Sequence, residues 1–450
     1  MTASTEVMRI LVYGKDARTH AIAEALRRSG VAIELAVYSD LRIPGLVRTA
    51  DVFKQGKMTA EELDAMMEFA REFGPDLVII GPEDPLGFGL VDRLQGDLGV
   101  PCFGPTQSLA RIETSKSWTR LLMEKYQVPG NVIARSFTSS AGLVEFAQGL
   151  GDIVVKPDGL TGGKGVKVMG DHLDTVDDAV AYAEELIRHG GTVVIEERLE
   201  GEEFSLQSIT DGTTVIHCPP VQDHKRAGLD DTGPNTGGMG SYSAANGTLP
   251  FLETSDLEEA QRINETVIRV LQEETGEPYR GVLYGGFMAT RDGIRVIEYN
   301  ARFGDPEAMN VLALFEGNFV EVAHAVATGT LDRVSVSFAK KATVCKYVVP
   351  EGYPDRAVSG EIVSVDEDAL DDSQVRCYWA ATNLNAEDKV ELTGSRAMAF
   401  VGIADTLAEA EALAEAAASS VGGRVRWRSD IGTAELIQKR VDHMQALRRA

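Results

Sequence analysis

Short apolar runs and amphipathic stretches alternate from Met8 to about Gly104. The run MRILVYG is followed by helical periodicity over Ala17 to Ser29, VAIELAVY by a second helical stretch over Thr59 to Phe73, and DLVIIG closes the series. Such alternation predicts strands joined by helices, hence a parallel sheet. The apolar runs are continuous, as expected when helices cover both faces, and each ends in Gly, Pro or Asp at the edge where ligand loops gather. Residues 1–104 are therefore expected to form a Rossmann-like domain.

The texture changes near Pro105. Residues 105–334 read as longer strands, a long helix over Ser255 to Glu274 and two loops dense in glycine and charge, which seldom serve packing alone. Within residues 335–450 the pattern from about Lys340 predicts short strands (ATVCKYVV, GEIVSV, QVRCYWA, SRAMAFVGI, GRVRW) and an Ala/Glu-rich helix near Thr406 to Ser420, a small mixed α+β module. No repeat or low-complexity tract interrupts this order, and 450 residues at about 150 per domain also suggest three domains.

The charge balance narrows the partners. Lys+Arg 44 against Asp+Glu 69 leaves -25, which opposes binding to nucleic acid or to anionic lipid, and no apolar run approaches the ~20 residues of a membrane span. With no secretory leader in MTASTEV, a cytoplasmic protein is expected. Cys102, Cys218, Cys345 and Cys377 lie far apart, so neither a zinc site nor a disulfide framework is indicated. No Gly-x-Ser-x-Gly elbow, HExxH or Cys–His arrangement is present, which removes the common hydrolase and zinc-protease classes.

Four segments carry candidate chemistry. In DIVVKPDGLTGGKGVKV, from Asp152, a strand delivers Lys156 into a hairpin with Gly159, Gly162, Gly163, Lys164 and Gly165. Glycines let backbone N–H groups approach anionic oxygens and the lysines add charge, so phosphate binding is the natural reading; solvated lysines on an ordinary turn are the alternative. VVIEERLEGEEFSLQSI, from Val193, crowds Glu196, Glu197, Glu200, Glu202 and Glu203 into a strand–turn–strand, a cluster suited to a cation, a ribose hydroxyl pair or an adenine amino group, or simply to solvent. In GIRVIEYNARFGDPEAMN a regular strand puts Ile294, Val296, Glu298 and Asn300 on one face, giving two hard oxygen donors for Mg²⁺, with Arg302 next to them. Asp305 and Glu307 can be read as caps of the next helix, a reading that for Asp305 is balanced by a catalytic one. Finally, the long segment from Val221 to Ser243 holds Asp223, His224, Lys225, Arg226, Asp230, Asp231 and Asn235 among many glycines, a length that points to function, although a solvated lid would read the same way.

Taken in order, GPEDPL from Gly81, TSK ending at Lys116, VVKPDGLTGGKGV, EERLEGEEFSL, QDHKRA with GPNTGGMG, GVLYGGFMAT, EYNARFGDPE and the closing GGRVRWRSDIG resemble, from end to end, the phosphoribosylamine–glycine ligase family of the ATP-grasp superfamily. The resemblance implies an α/β and α+β multidomain fold: a Rossmann-like pre-ATP-grasp domain, an ATP-grasp domain with a mobile lid over about 126–195, and a small C-terminal domain. It implies an ADP-forming ligation of glycine to 5-phosphoribosylamine through a glycyl phosphate, by a monomer or homodimer that uses ATP and Mg²⁺ or Mn²⁺. By the same resemblance Lys116, Lys156, Gly162, Gly163 and Lys164 meet the ATP phosphates, Glu196, Glu197 and Leu199 line the adenine, Glu203 meets the ribose, and Glu298 and Asn300 hold the metal. Arg302, Lys156, Asp223 and Lys225 are the implied catalytic set. Arg18, His20, Pro82, Glu83, Asp84, Asp223, Arg226, Asn235, Gly237, Gly238 and Arg302 are the implied border of the glycine and phosphoribosylamine sites.

Two departures stand out. The family's first βα turn usually reads G-x-G-G-R-E-H-A, whereas this chain has Gly14, Lys15, Asp16, Ala17, Arg18, Thr19, His20 and Ala21. Asp16 adds a charge that repels a phosphate, which Lys15 can offset. Leu229 also takes a place often held by Asp. The altered turn keeps open a family member acting on another acid and amine; a catalytically silent nucleotide-binding protein is the reading from outside the enzymes.

Overall fold

The computed structural model describes residues 7–160 and 165–449. Its first unit runs β1 (Met8–Tyr13), α1 (Ala17–Arg27), β2 (Ile33–Ser39), α2 (Pro44–Thr49), β3 (Val52–Gln55), α3 (Leu63–Phe73), β4 (Leu77–Ile80), α4 (Glu83–Gly87), α5 (Leu90–Leu98) and β5 (Cys102–Phe103). The strands form one parallel sheet in the order β3-β2-β1-β4-β5. Ile10, Leu11, Val12 and Tyr13 of β1 are fully buried, which is why the run reads as continuous. Strand order reverses between β1 and β4, so a crevice opens at their carboxyl ends, where Arg18 and Glu83 lie.

Next come α6 (Gln107–Thr114), α7 (Lys116–Lys125), β6 (Ala134–Phe137), α8 (Leu143–Leu150), β7 (Ile153–Pro157), β8 (Lys167–Val168), α9 (Val176–Arg188) and β9 (Val193–Glu197). The antiparallel sheet β6-β9-β7-β8 and helices α8 and α9 enclose a core of their own, with Phe137, Leu143, Ile153, Ala179 and Ile195 inside. The chain continues through β10 (Glu202–Thr210), β11 (Val215–His217), β12 (Gln222–Asp223), β13 (Gly240–Ser243), α10 (Thr254–Thr275), β14 (Gly281–Thr290) and β15 (Gly293–Asn300). Strands β11-β10-β14-β15 make a second antiparallel sheet, backed by the buried stripe Ala260, Ile263, Val267 and Leu271 of α10.

After α11 (Glu307–Leu314), β16 (Phe315–Glu316), α12 (Phe319–Thr328) and β17 (Ser337–Phe338), the last part supplies β18 (Ala342–Pro350), β19 (Val375–Trp379), β20 (Thr382–Leu384), β21 (Val390–Leu392), β22 (Met398–Ala404), α13 (Leu407–Ser419), β23 (Val425–Arg426) and α14 (Ala434–Arg449). Its main sheet is ordered β12-β13-β18-β22-β19, so the two ends of the polar segment 221–243 are stitched into the C-terminal sheet, and the segment is not a solvated lid. The expected strand GEIVSV does not form: Ile362 and Ser364 make only isolated pairings, with Glu391 and Gly422, and Ile362 is 43% exposed. Helix α14 was not anticipated by the pattern; it returns to the middle of the chain, where Arg440 and His443 meet Glu202. All four cysteines are buried and unpaired. Among the described residues no helix is long and apolar enough to cross a membrane.

Candidate active site

The site is organised by a β-bulge. Gly286 pairs with Glu298 but Phe287 pairs with Val296, leaving Ile297 as an extra residue in β15. In a regular strand Glu298 and Asn300 would follow Ile294 and Val296 into the core, at the cost of burying a carboxylate in apolar surroundings. The bulge reverses the alternation: Ile294, Val296, Tyr299 and Ala301 join the core, and Glu298 and Asn300 turn to the opposite, open face. The expectation that all four share a face is thereby corrected. The bulge also releases the Ile297 carbonyl, which accepts from Arg120 Nη2 (2.9 Å) and Lys156 Nζ (3.1 Å).

Those two cations meet Glu196. Arg120 grips its carboxylate through Nε (2.7 Å) and Nη2 (3.0 Å), and Lys156 adds a 2.7 Å contact, all three side chains being buried. Burial raises the Glu196 pKa, but Arg120 and then Lys156 outweigh it and hold the group at about 2. The Glu196 side chain thus anchors Lys156. Glu197 accepts the Ile133 N–H (2.8 Å), and Leu199 lies half-buried in the β9–β10 turn. Lys116 Nζ donates to the Gly159 carbonyl (2.7 Å) and Ser115 Oγ to Asp158 (3.1 Å), which ties the Gly-rich hairpin to the start of α7. Gly162, Gly163 and Lys164 lie outside the described residues.

Beside the bulge is a cavity lined by Glu203, Asp223, Lys225, Tyr284, Glu298 and Glu307. Lys225 Nζ stands 3.4 Å from Glu203 and 3.9 Å from Glu298. Burial raises the Glu298 pKa, yet Lys225, Lys156 and Lys116 together bring it below the usual range. Asp223 is raised well above it, by burial and then by Glu307, whose carboxylate accepts the Tyr284 hydroxyl (2.8 Å). Even with Asp223 left out of the count, Glu203, Glu298 and Glu307 outnumber Lys225 in the cavity, and the hard oxygens of Glu298 and Asn300 on the open face suit a divalent cation. The donor set therefore fits the expected metal.

At the switch point Arg302 is held by Glu83 (Nε, 3.1 Å) and Glu113 (Nη2, 2.8 Å). Burial raises the Glu83 pKa, but Arg302 and Arg18 bring it to about 2; Glu113 is pushed up to about 7 by its burial. Arg18 is buried, bonds to Asp16, donates Nη1 to the Phe303 carbonyl (2.8 Å) and lies 3.5 Å from Glu83. Asp16 also accepts the Thr19 N–H (2.8 Å) and hydroxyl (2.6 Å), so the chain's own carboxylate occupies the anion seat at the start of α1. Pro82 precedes α4, and Asp84 stands 4.0 Å from Lys15. His20 turns away from this crevice: its Nδ1 accepts the Trp379 N–H (2.9 Å), and burial lowers its pKa to about 3. Being neutral, it makes no ion pair with Glu24 at 3.6 Å. Its expected place at the substrate border is corrected to a packing role between the first unit and the C-terminal sheet.

Along the stitched segment Arg226 pairs with Asp171 (2.7 Å), reaching the unit built on β6–β9, and Asn235 bridges to Arg226 through the backbone. Gly238 has φ +110°, and a Cβ there would collide with Asp223 and Pro306, so only glycine lets the turn approach the Asp223 carboxylate. Arg396 fixes that turn by donating to the carbonyls of Gly237 (2.8 Å) and Gly238 (3.0 Å). Asp305 does not cap α11; it accepts from Tyr347 (2.6 Å) and pairs with Arg396 (3.2 Å). Sequence reasoning missed Arg120, Glu113, Tyr284 and Arg396. Only Glu113, directly before TSK, and Tyr284, inside GVLYGGFMAT, carried a positional signal.

Residues 8–113, 114–308 and 343–434 match, in turn, the family models described as Phosphoribosylglycinamide synthetase N domain, ATP-grasp (A) domain and C domain. A phosphoribosylamine–glycine ligase of Methanosarcina barkeri is 46% identical over 441 residues, 98% of this chain and 100% of that protein. One of Methanothermobacter thermautotrophicus is 47% identical over 448 residues with the same coverage. The crystal structure of phosphoribosylamine–glycine ligase from Thermotoga maritima matches with TM-score 0.78 and 26% identity, covering 94% of this chain and 100% of that one. Biotin carboxylase from Campylobacter jejuni shares the fold, with TM-score 0.75 at 14% identity over 98% of this chain and 99% of its own. With three successive domain models and full-length relatives in agreement, the chain belongs to the phosphoribosylglycinamide synthetase family.

Proposed function

We propose that this chain joins glycine to 5-phosphoribosylamine with ATP, giving glycinamide ribonucleotide, ADP and phosphate, a step of purine biosynthesis. The observation that carries the reading is the end-to-end match to relatives bearing that ligase name, at 46% and 47% identity. A carboxylate is a poor electrophile; transfer of the γ-phosphoryl to a glycine carboxylate oxygen, with ADP leaving, supplies a leaving group. The amine nitrogen then attacks the acyl carbon, phosphate departs and the nitrogen loses a proton.

Lys116, Lys156 and the Gly-rich hairpin neutralise the ATP phosphates. Glu197 and Leu199 border the adenine, Glu203 the ribose, and Arg302 the phosphoryl in transit. Glu298 and Asn300 would hold Mg²⁺ or Mn²⁺, whose charge offsets that of the transferring group. Asp223 and Lys225 border the glycine site, with the turn at Asn235 to Gly238 beside them, while Arg18, Glu83 and Asp84 lie toward the phosphoribosylamine. On this reading the domains span 1–104, 105–334 and 335–450, with a lid over about 126–195, for which the separate core under β6–β9 speaks. The protein is cytoplasmic, a monomer or homodimer, with no nucleic-acid partner. The carboxylate of Asp16 in the anion seat favours one second reading, a ligase of the same family acting on a different acid and amine.

Purified protein with Mg²⁺, ATP, glycine and fresh phosphoribosylamine should form glycinamide ribonucleotide, ADP and phosphate in equal amounts. AMP and pyrophosphate would refute the acyl phosphate route. Turnover with another amine, and none with phosphoribosylamine, would establish the second reading.

A further inference from the structure

Strand β15 ends at Asn300, the last residue paired with β14, and among the described residues the next two pair with no strand. Their backbone is held instead by one side chain from α6. Glu113, 7% exposed, accepts the Ala301 N–H through Oε2 (2.7 Å) and the Arg302 guanidinium through Oε1 (2.8 Å). With the Asn300 amide oriented to suit its neighbours, its nitrogen donates to the same Oε1 (3.0 Å) and to the Tyr299 carbonyl (3.2 Å), which turns the amide oxygen to the other side. Three donors from three consecutive residues thus converge on a single buried carboxylate. Arg302 has a second carboxylate in Glu83, but that side chain is 30% exposed against 4% for Glu113, so Glu83 faces the crevice while Glu113 is the fixed anchor. The next residues of the same segment, Thr114 and Ser115, lead directly to Lys116.

We infer that Glu113 is a positioning residue of the transfer site, which sets the metal-facing oxygen of Asn300 and the guanidinium of Arg302 as one unit and registers both against Lys116. The inference rests on the proposed roles of Glu298, Asn300 and Arg302. A glutamine at 113 has one acceptor oxygen and one NH₂ in place of two acceptors, so it would turn a donor toward either the Ala301 N–H or the Asn300 and Arg302 donors. An aspartate keeps the buried charge but retracts it by one methylene.

The test is Mn²⁺ binding to the enzyme–ADP complex, read by electron paramagnetic resonance without turnover, for wild type, Glu113→Gln, Asn300→Ala and the double variant. Glu113→Gln should weaken Mn²⁺ at least tenfold, and most of that loss should vanish in the Asn300→Ala background, since Glu113 acts on the metal through that amide. In steady state, kcat should fall and the Mn²⁺ activation constant should rise together, while a residue needed only for folding would lower the active fraction and leave the constant unchanged. Glu113→Asp carries the same measurement where the glutamine variant does not fold, with an intermediate loss expected. Unchanged Mn²⁺ affinity in a folded Glu113 variant, or full additivity with Asn300→Ala, would overturn the inference and leave the ligase reading intact. A wild-type complex that binds no Mn²⁺ would overturn it together with the assignment of Glu298 and Asn300 as ligands.

Discussion

Glu196→Gln tests the electrostatics that hold Lys156 in place. The carboxylate is 4% exposed and carries both Arg120 and Lys156, and its pKa is displaced from 4.5 to about 2. At about 1.36 kcal/mol per pH unit, that displacement of roughly 2.5 corresponds to about 3 kcal/mol of folded-state stability. Breaking a buried ion pair from one side costs about 3–5 kcal/mol by independent measurements, because the remaining charges lose their partner; here two cations would be left facing each other. The variant should therefore lose about 3 kcal/mol at pH 7. Hydrogen exchange at the amides of Val193–Glu197, together with urea unfolding, measures this locally and globally. Because the folded pKa is depressed, the contribution is fully present above pH 4.5 and is lost as pH falls through 2. The difference between wild type and variant should stay constant from pH 7 to 5 and narrow only below 4.5. A difference under about 1 kcal/mol at pH 7, or one that already narrows between pH 7 and 5, would refute the reasoning.

Arg18→Ala should raise the KM for phosphoribosylamine by at least about tenfold, about 1.4 kcal/mol of charge-assisted binding, with little change for ATP and glycine. Asp16→Ser keeps a helix cap but empties the anion seat, so the same KM should fall; a rise in steady-state assays would show that the carboxylate helps the substrate. His20→Gln should leave all three KM values unchanged. Because burial lowers the His20 pKa from 6.5 to about 3, wild-type stability from this residue is complete above pH 6.5 and is lost as pH falls toward 3. The melting temperatures of wild type and His20→Gln should therefore converge between pH 6.5 and 4.

The parallel sheet of the first unit was legible because its central strands are buried on both faces and their apolar runs are uninterrupted. Helix α2 and strand β3 beside it were not, since Pro44–Thr49 and Val52–Gln55 are too short for any period to register. Helix α13 was marked by its alanine stripe, whereas α14 buries only Leu436, Ile437 and Met444 and reads as a solvated tail. In the site, the residue types at 156, 223, 225, 298, 300 and 302 announced phosphate and metal chemistry; the structure brings Asp223, Lys225 and Glu298 to one cavity, with Lys156 on the Ile297 carbonyl beside it. Which face they share was beyond local reading: a bulge is set by the register against β14, and that partner's offset leaves no mark in β15 itself. Arg120 sits on an ordinary helix pattern and Arg396 in the connection before β22, and both become significant only through carbonyls and carboxylates far away in sequence. His20 shows the converse, a motif residue whose surroundings turn out to be Trp379, 359 residues later.

Among the described residues strand β13 pairs with β12 and with β18, which begins about a hundred residues later at Ala342. On a ribosome adding ~5–20 residues per second, Gly237, Gly238 and the Asp223 they approach wait roughly 5–20 seconds for the strand that frames them. Strands β10, β14 and β15 pair with one another without β18, although α14, later still, brings Arg440 and His443 onto Glu202 of β10. On the assignment proposed above, a nascent chain can thus pair the strands that carry Glu203 and Glu298 before the turn beside Asp223 has its frame, so synthesis itself orders the completion of the cavity.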